Sequence, residues 1–205
     1  TVPDAGVVVG GANTGSALES LVSSVQVVNN GGPVPQNVKV RLSLGSANAT
    51  ASDFPNLVDL GGGVYTFSSS GSDFALFDGY DSLLTGRVQF AEEGVYTVTA
   101  ELVDADGFLW AAHSHEVAIG AHAALFTLSD LSQVYVDAST PHPVGVASTP
   151  AGVPYTVLYE TKTGADCPAD PIAPSTAVPI DAGSYCVYVT AESPYSGSAS
   201  GVLVV

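Results

Sequence analysis

Apolar and polar residues alternate with a period of two over most of the chain. In Val38-Lys39-Val40-Arg41-Leu42-Ser43-Leu44, four aliphatic side chains point one way and Lys39, Arg41 and Ser43 the other. Tyr96, Val98, Ala100 and Leu102 alternate with Thr97, Thr99 and Glu101. Val153, Tyr155, Val157 and Tyr159 alternate with Pro154, Thr156, Leu158 and Glu160. Tyr185, Val187, Val189 and Ala191 alternate with Cys186, Tyr188 and Thr190. Successive side chains of a strand project to opposite faces. Each run therefore predicts a strand with one buried face, the pattern of antiparallel sheets packed on one another. Helical spacing is confined to one short candidate, residues 16–22.

Turn chemistry separates these runs. Asn29-Asn30-Gly31-Gly32-Pro33, Gly61-Gly62-Gly63, Asp78-Gly79 and Asp106-Gly107 supply residues that tolerate positive φ. Asp104-Ala105-Asp106-Gly107 lies between two strong β runs and predicts a hairpin tip. Strands then recur about every 8 to 12 residues, the spacing of an all-β sandwich.

One pattern occurs twice. Glu92-Glu93-Gly94-Val95-Tyr96 and Asp181-Ala182-Gly183-Ser184-Tyr185 both read acid-x-Gly-x-Tyr and both lead into an alternating strand. This resembles the tyrosine corner of immunoglobulin-like folds, in which the tyrosine hydroxyl bonds back to the backbone at the turn. Two corners, Tyr96 and Tyr185, imply two tandem immunoglobulin-like antiparallel β-sandwiches, residues 1–120 and 121–205. The small residues of Gly120-Ala121-His122-Ala123-Ala124 read as the linker between them.

The length of 205 residues suits that division. Charge narrows the partners. There are 20 acidic and only 4 basic residues, giving a net charge of -16 that arises from missing Lys and Arg. No basic patch exists to displace counterions from nucleic acid, and an anionic membrane is disfavoured for the same reason. Self-repulsion that keeps the chain soluble is one reading of the charge, and extracellular divalent-cation binding is the other. No run of about 18 apolar residues predicts a membrane helix, so membrane insertion is not expected. A chain that starts at Thr1 and contains no Met reads as a processed or excised segment.

Candidate chemistry is sparse. Cys167 and Cys186 form an even pair within the second half, which fits a disulfide and an oxidising compartment. Metal or redox pairs use closer spacing and nearby His ligands. Because Cys186 follows Tyr185 on a strand, the bridge is expected to staple residues 163–174 over the outside of the sheet. Asp73, Asp78 and Asp81 crowd one loop, and Asp104 and Asp106 another. Such carboxylates suit calcium, although Asx turns account for Asp78-Gly79 and Asp106-Gly107 without an ion. No organic cofactor is implied. His113 and His115 share a face of a predicted strand, and without a third well-spaced ligand they read as surface histidines. Trp110, with Phe108, is a candidate ligand platform or a core residue. No Gly-x-Ser-x-Gly elbow, His-Glu-x-x-His pair or phosphate-binding glycine loop is present, so the sequence does not predict an enzyme.

Four segments of the second half resemble the MBG family, a bacterial immunoglobulin-like module of surface adhesins and other secreted proteins. They are the Tyr135-Val136-Asp137 to Pro143 entry, the Thr149-Pro150-Ala151-Gly152 turn, the Pro179-Ile180-Asp181-Ala182-Gly183-Ser184-Tyr185 corner and the Tyr195-Ser196-Gly197-Ser198-Ala199 final strand. Cys167, Cys186 and Ala138 depart from the family's pattern. The resemblance implies an extracellular spacer or adhesive role at a cell surface, with no catalytic residues. The first half is only generically similar to bacterial immunoglobulin-like repeats. Val7-Val8-Val9 and Val202-Leu203-Val204 are strand-addition candidates, through which copies of the chain or neighbouring immunoglobulin-like domains would join as a filament. The alternatives are a module binding glycan or a host protein through Trp110, Tyr159, Tyr188 and Tyr195, and an accessory part of a larger secreted protein.

Overall fold

The structure is a computed structural model that describes residues 5–29, 38–54, 57–67 and 83–205. It is all-β, with no helix among the described residues. The chain forms two tandem immunoglobulin-like sandwiches and divides into two compact units, Thr1–Gly120 and Ala121–Val205.

In the first unit the strands are β1 (Ala5–Gly11), β2 (Thr14–Ser16), β3 (Ser20–Asn29), β4 (Lys39–Ser43), β5 (Ala49–Ser52), β6 (Leu57–Gly61), β7 (Val64–Phe67), β8 (Leu83–Phe90), β9 (Gly94–Val103) and β10 (Leu109–Gly120). One sheet has the order β1-β3-β8-β5 and the other β2-β10-β9-β4-β7-β6. The two-residue alternation decides which side chains meet between them. Val7, Val9, Val25, Val27, Val88 and Phe90 of the first sheet share one core with Val40, Leu42, Phe67, Val98, Ala100 and Leu102 of the second. Each such Val, Leu or Phe side chain, fully buried, contributes roughly 1.5–3 kcal/mol.

Residues 16–22 are not helical. Ser16 ends β2, and Ser20 begins β3. Between them the Ala17 amide donates to the Gly120 carbonyl at 2.7 Å and the Leu18 amide to the Phe90 carbonyl at 2.8 Å. Leu18 takes a left-handed φ of 65°. Long-range backbone partners thus replace the local bonds a helix would need, and the segment carries the chain from one sheet to the other.

The second unit holds β11 (His122–Ala123), β12 (Leu125–Ser129), β13 (Gly145–Thr149), β14 (Tyr155–Thr161), β15 (Ser184–Ala191), β16 (Tyr195–Ser196) and β17 (Ser198–Val204). A β14-β15-β17 sheet is joined by the β12-β13 and β11-β16 pairs. Tyr159, Val187 and Leu203 centre its core, with Val144, Val157, Val178, Tyr185 and Val205 packed around them. The expected linker is itself structured. The His122 amide donates to the Pro194 carbonyl at 2.9 Å and the Ala124 amide to the Ser196 carbonyl at 2.7 Å, so this segment is a strand of the second unit.

Candidate functional site

The side chains singled out by the sequence close turns, loops and sheet edges. Tyr96 Oη donates to the Glu92 carbonyl at 3.0 Å, and Tyr185 Oη donates to the Asp181 carbonyl at 3.0 Å. Both bonds reach back four residues and pin the turn that launches β9 or β15. The Tyr96 ring also stacks on Phe90 with centroids 4.3 Å apart. Burial, and then the Glu92 carboxylate, push the Tyr96 phenol above its ordinary pKa. Gly94 before it sits at φ 154°, a conformation that side chains rarely adopt.

The hairpin tip between β9 and β10 is organised by Asp104. Its Oδ1 accepts the amides of Asp106 at 3.0 Å and Phe108 at 2.9 Å, and its Oδ2 accepts Trp110 Nε1 at 3.0 Å. The Phe108 amide first, and then the indole, hold this carboxyl below its ordinary pKa, because each bond favours the charged form. Trp110 packs half-buried against the core, and Phe108 meets it edge-on at 5.6 Å while remaining 63% exposed. Both oxygens of Asp104 are therefore engaged within the protein, and Asp106 stands exposed. Asp73, Asp78 and Asp81 lie outside the described residues. Among the described residues no three His, Cys, Asp or Glu side chains converge as metal ligands.

Cys167 and Cys186 are bonded, with Cα atoms 5.6 Å apart. The bridge lays residues 163–174 over the outer face of β15. Tyr188 Oη donates to the Pro168 carbonyl at 3.0 Å, and the Glu160 carboxylate accepts the amides of Ile172 and Ala173. Lys162 Nζ donates to the Gly164 and Ala165 carbonyls. This covering explains two departures from the alternation. Cys186 and Tyr188 belong to the predicted outer face, yet they are only 1% and 7% exposed. Tyr159, on the other face of the sheet, is buried in the core. Neither Tyr159 nor Tyr188 is thus an exposed ligand platform; Tyr195 is half-buried, edge-on to His122 at 5.6 Å. Burial, and then Glu160, raise the Tyr188 phenol above its ordinary pKa.

The strand-addition candidates lie on edge strands that serve the core. Val7 and Val9 are buried and Val8 is 43% exposed, while β1 pairs along its length with β3. Leu203 is fully buried between the half-exposed Val202 and Val204. At Val204 the outer edge of β17 is already engaged: the Val204 amide donates to the Leu131 carbonyl and its carbonyl accepts the Gln133 amide, both at 2.9 Å.

Three further edge caps escaped the sequence reading. Tyr65 Oη of β7 crosses to the other sheet, accepting the Ala51 amide at 3.3 Å and donating to the Ala49 carbonyl at 3.4 Å, which closes β5. His113, exposed, and His115, half-buried, reach from β10 to the backbone at the edge of β1. His113 Nδ1 accepts the Val9 amide at 3.2 Å, and His115 Nε2 bonds the Ala12 carbonyl at 3.2 Å. They are surface histidines that also bond the backbone of the neighbouring edge strand. Only their shared face was visible in the sequence, because their partners lie about a hundred positions away.

No curated protein sequence matches the chain. Among solved structures, the adhesin InvE of Yersinia pseudotuberculosis is similar at 11% identity and a TM-score of 0.41, covering 100% of this chain and 60% of that one. The cohesin module of a Clostridium perfringens family 33 glycoside hydrolase is similar at 11% identity and a TM-score of 0.40, covering 56% of this chain and 96% of that one. The major pilin subunit of Bacillus cereus is similar at 8% identity and a TM-score of 0.38, covering 97% of this chain and 66% of that one. Residues 124–205 match the family model described as MBG domain, so the second unit resembles an MBG-type bacterial immunoglobulin-like module.

Proposed function

We infer that the chain is an extracellular structural or adhesive part of a bacterial surface, serving as a stalk module or filament subunit and not as an enzyme. The observation that carries this reading is where the conspicuous polar side chains point. Tyr65, Tyr96, Asp104, His113, His115, Glu160, Tyr185 and Tyr188 all bond to the protein's own backbone or, for Asp104, to its indole as well. Such an arrangement keeps a sandwich closed and rigid, which is what a spacer needs. The disulfide supports an oxidising, extracellular location. The partners expected are copies of the chain or neighbouring immunoglobulin-like modules. Sedimentation and electron microscopy across a wide concentration range test the filament form. Ordered polymers support it, and a monomer at every concentration restricts the function to a stalk.

A second reading rests on the β9-β10 tip. Phe108 and Trp110 form an edge-on aromatic pair at an exposed hairpin end, a geometry suited to a sugar ring or an apolar side chain of a host protein. Glycan-array binding that is lost in Phe108→Ala would favour an accessory binding module. An array without hits would remove the sugar arm.

A further inference from the structure

We propose that His113 is an acid-sensitive latch on the first strand: the neutral imidazole holds the outer edge of β1 shut, and protonation releases it. This stands independently of the stalk reading.

The edge position of β1 creates the need for a cap. In an antiparallel pair, alternate residues direct their amides toward the partner strand and away from it. The Ala12 amide donates to the Val22 carbonyl of β3, so even-numbered residues face that strand. Val9 accordingly directs its N–H outward, while its own side chain is buried. An edge amide without a partner is a template for another chain. Here the partner is a side-chain nitrogen delivered from the opposite sheet.

The polarity of the two caps differs, and that difference makes one of them a switch. His113 accepts at Nδ1, which places its proton on Nε2 and requires a lone pair on Nδ1. A second proton would occupy that lone pair and set N–H against N–H. His115 faces the Ala12 carbonyl through Nε2, an arrangement that needs a donor and survives protonation. Acid therefore breaks the bond at Val9 and leaves the one at Ala12. On the side that His113 faces, β9 presents Val98, Ala100 and Leu102, β1 presents Val7 and Val9, and β3 presents Val25 and Val27. Among the described residues His115 is the titratable neighbour on that side, while Glu101 and Glu116 alternate onto the far face of the sheet. Imidazole is the ordinary side chain whose charge changes between about pH 5 and 8.

The test is amide hydrogen exchange at Val9 in the full chain, expressed as protection relative to the unstructured rate at each pH, between about pH 8 and about pH 5. Losing one hydrogen-bond partner predicts a fall in Val9 protection of roughly five- to tenfold. Val8 and Gly10, on the same strand but facing β3, should keep theirs. In His113→Asn the amide oxygen sits near the position of Nδ1 and cannot titrate, so Val9 stays protected across the range. In His115→Ala the pH dependence at Val9 persists. Protection at Val9 that ignores pH, an equal fall in His113→Asn, a fall shared by Val8 and Gly10, or loss of the effect in His115→Ala would each overturn the latch.

Discussion

Removing the Cys167–Cys186 bond, by reduction or as Cys167→Ala/Cys186→Ala, perturbs one unit and leaves the other as an internal control. The bridge spans 19 residues of sequence. Closing a loop of that length lowers the entropy of the unfolded chain by an amount worth about 3 kcal/mol in the chain-entropy model. Because both cysteines lie in Ala121–Val205, the loss belongs to that unit alone. For a unit of fewer than about 100 residues, this should lower its thermal midpoint by roughly 10–20 °C. The covering of β15 is lost with it. Residues 163–174 should become open to protease, and Tyr188 should leave the Pro168 carbonyl for solvent. Calorimetry with and without reductant, paired with limited proteolysis, reads both effects. An unchanged second transition, or a shift shared equally by the first unit, would refute the argument that the staple acts by confining this one loop.

Three further outcomes follow from the same geometry. The Asp104 carboxyl is held below its ordinary value, so its contribution is complete at neutral pH and is lost as pH falls below the usual carboxylate range toward the lowered value; Asp104→Asn should abolish that acid dependence, read through the fluorescence of Trp110, the single tryptophan. Tyr96→Phe and Tyr185→Phe each remove one corner hydrogen bond and should cost about 1 kcal/mol in denaturant titrations, Tyr96→Phe in the first unit and Tyr185→Phe in the second. Leu203→Ala should cost about 2–5 kcal/mol while Val202→Ala stays within about 1 kcal/mol, since only Leu203 fills the core; equal effects would deny β17 its buried face.

What the sequence conveyed was local, and what it withheld was long-range. Val38 to Leu44 alternates between buried and half-exposed as its residues require, because strand side chains change sides at every step whatever they pack against. The acid-x-Gly-x-Tyr pattern locates both corners because donor and acceptor lie four residues apart. The Cys pair was legible through its even number and its place in one half. Residues 16–22 misled because Ala17, Leu18 and Leu21 carry helical spacing, yet the Ala17 and Leu18 amides bond Gly120 and Phe90, and Leu21 pairs with Val88 as part of β3. The covering of the outer face by residues 163–174 followed from the Cys pair, but the alternation alone gave no sign that Tyr188 would be buried under it, bonded to Pro168. Asp104 was visible as a turn residue, but its bond to Trp110 depends on the irregular register between Leu109 and Ala111.

Edge control and charge together set how readily two copies can meet. In the first unit β1 is capped by His113 and His115 and β5 by Tyr65. In the second, Ser175 bonds Tyr159 at the border of β14, and residues 131–133 engage the end of β17. A sheet border filled from within offers few free amides to an incoming strand. The net charge of -16 adds a long-range repulsion between copies. The two defences fail at different acidities. Carboxylates as a class lose their charge near about pH 4, whereas imidazole is the side chain class whose charge changes between about pH 5 and 8. Mild acid should therefore open the β1 edge while the repulsion still stands, and only stronger acid or high salt should let opened copies approach. Pairing through β1 then requires both steps, so its onset should follow pH and ionic strength jointly rather than either one alone.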